Sequence, residues 1–210
     1  MRSRRSVRGC ECLRQARRCT AGGDRTAGGR GRRRWYGHRL SPRGTTTATK
    51  VAESQGVVEL GATELDMVLN IGWLRGGHTQ EVLADIRAVV EVGHEAGVLV
   101  KVILENAYLS DAEKVAACHL VEEAGADFVK TSTGFATSGA TLADIMLMRA
   151  SVGPSVGVKA AGGVRTLDTL LAMVSEGATR FGATAISDLL DEAAKRQADR
   201  TLVVPAPPGG

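Results

Sequence analysis

LVKVI at residues 99–103, FVKTS at 128–132 and GVKAA at 157–161 decide the fold. Each is a short, mostly apolar run holding a Val-Lys pair. The pairs are Val100-Lys101, Val129-Lys130 and Val158-Lys159, so the spacing is 29 residues, twice. A strand, a helix and their two loops occupy about 30 residues. The three runs therefore read as the strands of successive βα units. A period of this length is typical of a (β/α)8 barrel, which extends to about 250 residues.

Outward from these runs the alternation continues. Strands are predicted at 65–71, 98–104, 127–131, 155–160 and 180–184. Helices are predicted at 79–96, 110–124, 141–151, 166–176 and 186–197. TTTATK at 45–50 offers hydroxyl caps for an earlier helix, with Gly61 as its stop. Strands alternating with helices indicate an α/β fold around a parallel sheet. Only 166 residues follow Gly44, enough for between five and six units of about 30 residues. Either the sheet is smaller and open, or a barrel lacks its first part.

Composition sets the class. The chain has 210 residues, 43% hydrophobic and 24% charged, ordinary values for a globular protein. With only seven aromatic residues the core must be aliphatic. No run of 18 apolar residues exists, and no charged start leads into an apolar leader. A cytoplasmic location is expected.

The net charge of +4 averages two unlike segments. Residues 1–44 hold 14 Arg against Glu11 and Asp24, whereas the remainder carries an excess of acids. The first segment is Arg/Gly-rich and aperiodic, with too little apolar surface to offset its ordering entropy. It reads as disordered or misassigned sequence. An RNA- or DNA-binding arm stacking bases on Trp35 and Tyr36, or an Arg-rich transit peptide, are the other readings. Cys10, Cys12 and Cys19 lie here without a second zinc-spaced pair, and Cys118 reads as a small core residue. Residues 45–197 form the expected domain and 198–210 a flexible tail.

Lysine rarely sits in a buried strand, so Lys101, Lys130 and Lys159 stand out. Lys130 and Lys159 end apolar runs and precede small residues, which puts them at strand carboxyl ends, where barrel enzymes carry their sites. Two ammonium groups facing one cavity repel, and desolvation adds to the effect, so a neutral amine becomes accessible near neutral pH. A neutral amine attacks carbonyls to form a Schiff base. Asp66, inside the apolar run ELDMVLN, is either a structural partner for a lysine or a proton shuttle beside such a site. Glu105 reads as a helix-capping or ion-pairing residue. Gly162 and Gly163 follow the Lys159 strand, and Gly182 lies one unit later. Both loops can bring backbone N–H groups to a phosphate. His38, His78, His94 and His119 show no ligand spacing. Asp85, Arg87, Glu91 and Glu95 read as a solvated helix face.

The series TTTATK, ELDMVLNIG, VKVILE, GADFVKTSTGFATSGAT, GVKAAGGVRT and FGATA resembles the deoxyribose-phosphate aldolase family. The resemblance spans roughly residues 44–193. It implies a class I aldolase with a TIM-barrel fold, here with about five carboxyl-terminal βα units and without the first three strands. The implied reaction is reversible cleavage of 2-deoxy-D-ribose 5-phosphate to D-glyceraldehyde 3-phosphate and acetaldehyde, in deoxyribonucleotide catabolism, without metal or organic cofactor. Lys130 would form the Schiff base, Lys159 would assist it, and Asp66 would move protons, linked through water to Lys101. Thr133, Gly134, Gly162, Gly163, Gly182 and Thr184 would line the substrate and phosphate loops. Thr184 and Ala185 stand where the family usually has two serines.

The expected partner is a sugar phosphate, not a membrane or a nucleic acid, and a homodimer is compatible. A phosphate-binding fragment without catalysis and a nucleic-acid-binding protein are the rival functions. The abrupt change at Gly44 is what a reading-frame shift in GC-rich DNA would produce. The expectation is that the absent strands are encoded upstream in another frame, and that the chain alone is poorly soluble because its sheet edges are open.

Overall fold

The computed structural model describes residues 45–205. The expectations for residues 1–44, including the three cysteines and the Arg-rich arm, lie outside the described residues.

The chain opens with α1 (Thr47–Glu59), whose N-cap Thr46 accepts the Thr49 N–H on its side chain. Gly61, at φ 88°, stops it as expected. Then come β1 (Glu64–Val68), α2 (Ile71–Arg75), α3 (Thr79–Glu95), β2 (Leu99–Ile103), a 3-10 turn at Asn106–Tyr108, α4 (Asp111–Glu123), β3 (Phe128–Lys130), α5 (Leu142–Ala150), β4 (Gly157–Ala161), α6 (Leu167–Ser175), β5 (Arg180–Gly182) and α7 (Ile186–Ala198). The strands form one parallel sheet in sequential order, β1 to β5.

Several boundaries differ from the sequence expectation. The predicted strand at 65–71 stops at Val68, because Asn70 accepts the Trp73 N–H and starts the short α2 instead. That helix and the 3-10 turn were not anticipated. Ser110 and Glu113 form a reciprocal capping box that fixes the start of α4. The segment after α7 is not a free tail as far as it is described. Leu202 and Val204 pack against the core, and Thr201 and Leu202 donate backbone N–H bonds to Arg196 O.

Side-chain alternation along the strands separates two layers. Leu65, Met67, Val100, Val102, Val129, Val158, Ala160 and Phe181 belong to the aliphatic core shared with the helices. The intervening residues face one another on the inner side of a curved sheet. Arg180 Nη1 of β5 lies 2.7 Å from Glu64 Oε1 of β1, so the first and last strands curl towards each other. Arg180 also stacks on the Phe128 ring, 4.5 Å from its centroid.

α1 is locked by a buried charge. Lys50 donates to Val68 O at 3.0 Å and pairs with Asp85 of α3, which also accepts from Thr47 at 2.8 Å. Asp85 therefore does not belong to a solvated face; it is fully buried. Arg87, Glu91 and Glu95 are exposed as expected, as are His78, His94 and His119. Cys118 is a buried core residue whose thiol is pushed up to about 12 by burial. No helix among the described residues is long and apolar enough to cross a membrane.

Candidate functional site

The parallel register brings the inward-facing positions together in tiers. Asp66 is level with Lys101, Ile103 with Lys130, Lys130 with Lys159, and Ala161 with Gly182. At the amino-terminal end Glu64 pairs with Arg180 and, at 2.8 Å, with Lys101. Above this base Lys101 Nζ donates to Asp66 Oδ1 at 2.8 Å. The contact is direct, where a water-mediated link was expected. Lys130 Nζ donates to Asp66 Oδ2 at 2.6 Å, and Lys159 Nζ reaches the same oxygen at 3.4 Å.

One carboxylate thus gathers three ammonium groups, of which only Lys130 ends its strand; Lys101 and Lys159 sit at the centres of β2 and β4, so Lys159 is not at the strand carboxyl end expected from the sequence. All are buried, Lys101 completely. Burial pushes the Asp66 carboxyl up, but the charges of Lys159, Lys130 and Lys101 outweigh it and hold it well below the ordinary carboxylate range. Glu64 is likewise raised by burial and lowered further by Lys101 and Arg180, with a net lowering. Four cations, Lys101, Lys130, Lys159 and Arg180, share the two carboxylates of Asp66 and Glu64, so each has an anionic partner, which is the condition for tolerating buried charge.

Above the charged cluster a cavity of about 570 Å³ opens. Asp66, Lys130, Lys159, Thr133, Gly134, Gly162, Gly163, Gly182 and Thr184 line it, as the sequence reading proposed. Lys101 is not among the lining residues; it contacts Asp66 and Glu64 beneath the cavity. Arg165 and Val164 also line the cavity and were not anticipated. Arg165 brings a further cation to the loop that already carried the glycine signal.

The loops around the cavity are tightly fitted. Gly162 and Gly163 have φ of 77° and 76°, in the left-handed region that favours glycine. Gly139 packs so closely on them that an added Cβ would meet Gly162 C at 2.3 Å. Thr131 donates to Ala161 O and accepts the Ala161 N–H, each at 3.0 Å, which clamps the ends of β3 and β4 together. α7 begins beyond Thr184 with no side-chain cap at Ala185.

Glu105 differs from expectation. Among the described residues it neither caps a helix with its side chain nor forms an ion pair. It is buried at φ 56°, and its carboxylate accepts from Thr133 N and Thr133 Oγ1.

The chain is similar to known proteins. Residues 36–193 match the model of the DeoC/LacD family aldolases. The chain is 56% identical over 141 residues to a deoxyribose-phosphate aldolase of Thermococcus gammatolerans, covering 67% of this chain and 63% of the relative. It is 57% identical, with the same shares, to one from Streptococcus equi subsp. zooepidemicus. The chain therefore spans 63% of the length of these curated relatives. Among solved structures, the aldolase QR15 superposes with a TM-score of 0.69 at 35% identity, covering 74% of this chain and 69% of that one. The deoxyribose phosphate aldolase from Aeropyrum pernix, a tetramer, gives 0.65 at 32% identity, covering 73% and 64%. The curved parallel sheet is part of the barrel of these aldolases.

Proposed function

The chain belongs to the DeoC/LacD aldolase family, and from that premise we propose that its cavity carries out reversible aldol cleavage of 2-deoxy-D-ribose 5-phosphate through a Schiff base on Lys130. The observation that carries this reading is the convergence of Lys130 and Lys159 on one oxygen of Asp66 at the cavity floor.

Lys130 reacts as the amine. Its nitrogen adds to the C1 carbonyl of the open-chain sugar, and loss of water gives an iminium. The iminium draws the electron pair of the C2–C3 bond towards nitrogen as the C3 hydroxyl proton departs. D-Glyceraldehyde 3-phosphate leaves, and an enamine stays on Lys130. Protonation of that enamine at carbon and hydrolysis release acetaldehyde and regenerate the lysine.

Asp66 is the group that can receive a proton from Lys130 across 2.6 Å. Three cations keep it ionised, so it relays protons rather than storing one. Lys159, on the same oxygen, is the adjacent donor. The phosphate end of the substrate fits the far rim of the cavity. There the glycine loop at Gly162 and Gly163, Arg165, Gly182 and Thr184 line one cavity.

The test is acetaldehyde release from 2-deoxy-D-ribose 5-phosphate by the full chain. The expected result is release that scales with protein and stops when Lys130 is replaced by alanine. Saturable binding of the sugar phosphate without release would support the rival reading of a phosphate-binding fragment.

A further inference from the structure

We infer that Glu105 is a positioning residue that fixes Thr133 as a hydrogen-bond acceptor facing the cavity, so that Thr133 recognises a substrate hydroxyl and not the phosphate. The inference rests on the Schiff-base reading and assigns a substrate-recognition role at the same site.

A carboxylate only accepts hydrogen bonds. Glu105 accepts the Thr133 N–H with both oxygens at 3.2 Å and also takes the Thr133 hydroxyl proton. The hydroxyl oxygen in turn accepts the Phe135 N–H at 3.2 Å. A threonine hydroxyl has one proton and two lone pairs. The proton and one lone pair are thus engaged, and a lone pair remains for the cavity that Thr133 lines. A lone pair can accept from a hydroxyl group but has nothing to donate to a phosphate oxygen. Thr133 stands three residues beyond Lys130 in the chain, and both line the cavity.

The backbone supports a functional placement. Glu105 holds a left-handed φ of 56° and is 2% exposed. Such a conformation persists in a non-glycine residue only where the surroundings impose it. Its N-terminal neighbour Leu104 and its C-terminal neighbour Asn106 are held by backbone bonds to Lys130 O and Thr131 O. The turn of the backbone between these anchors delivers the carboxylate to Thr133. Glu105 itself does not line the cavity, so it acts through Thr133.

The test uses the full chain and two aldehydes trapped on Lys130 by cyanoborohydride: acetaldehyde, which has no hydroxyl, and 2-deoxy-D-ribose. Glu105→Gln offers an amide N–H to the Thr133 oxygen and releases the threonine proton. The half-saturating concentration of deoxyribose should rise about tenfold, the equivalent of one hydrogen bond, while that of acetaldehyde is unchanged. Thr133→Val should match it, and the double variant should lose no more than either single one. Equal effects on both aldehydes, no effect on either, or additive losses would overturn the inference. Amide exchange reads the clamp without substrate. Glu105→Gly suits the left-handed backbone, and it should speed Thr133 N–H exchange about tenfold at unchanged melting temperature. Unchanged Thr133 protection would also overturn the inference. If acetaldehyde fails to label Lys130 in the parent chain, the proposed function falls, and the exchange result alone decides the clamp.

Discussion

Replacing Asp66 by asparagine should destabilise the protein by about 3 kcal/mol, the lower end of the loss on breaking a buried ion pair. Three ammonium groups depend on this carboxylate at 2.6, 2.8 and 3.4 Å. Asparagine keeps the shape but removes the charge, leaving the lysines to repel one another. Glu64 still neutralises Lys101, and the cavity lets water reach Lys130, which is why the lower end of the range applies. The pH dependence follows from the same contacts. The folded state holds Asp66 below its ordinary value despite burial. Its contribution is therefore complete above the unfolded value, about 4, and drains away as pH falls towards the depressed folded value. Urea titrations at a series of pH values should show this slope below about pH 4 in the parent chain and a shallower one in Asp66→Asn. Identical slopes would mean that the carboxylate does not hold the cluster.

The second large effect is expected at Lys159. Changing it to leucine keeps the volume but removes the cation that shares Asp66 Oδ2 with Lys130. Lys130 then keeps its contact with Asp66 Oδ2 but loses the adjacent proton donor. Cleavage near pH 7 should fall by a factor of about 10² to 10⁴, the range for loss of an acid–base group. A variant with parental rates would make Lys159 a structural residue. The same variant separates the site's two halves: binding of inorganic phosphate at the Gly162–Thr184 rim should change little.

Much of this site was legible because its residues violate the composition of their surroundings. Lysines at a 29-residue period inside apolar runs are expensive to bury, so their recurrence pointed to one cavity before any coordinates. The strand order followed from the alternation of βα units. Other features were hidden for physical reasons. Glu64 and Arg180 were not singled out, although the two-residue step to Asp66 and Gly182 places each on the inner face. That they pair across the sheet depends on its curvature, which no local pattern carries. Asp85 shares its helix with exposed Arg87 and Glu91, and only the packing of α1 reveals Lys50 as its partner. Glu105 offered no signal for its role, since its contact with Thr133 spans 28 residues and depends on a left-handed backbone at a position without glycine.

The central claim is that Lys130 is the nucleophile, and borohydride trapping reads it most directly. The full chain is incubated with acetaldehyde, reduced with borohydride, digested and mapped by mass spectrometry. The account predicts a stable ethyl adduct on Lys130, with Lys101 and Lys159 unmodified and no cavity adduct in Lys130→Ala. An adduct on Lys159 in place of Lys130, or no cavity lysine labelled above the background of surface lysines, would contradict it.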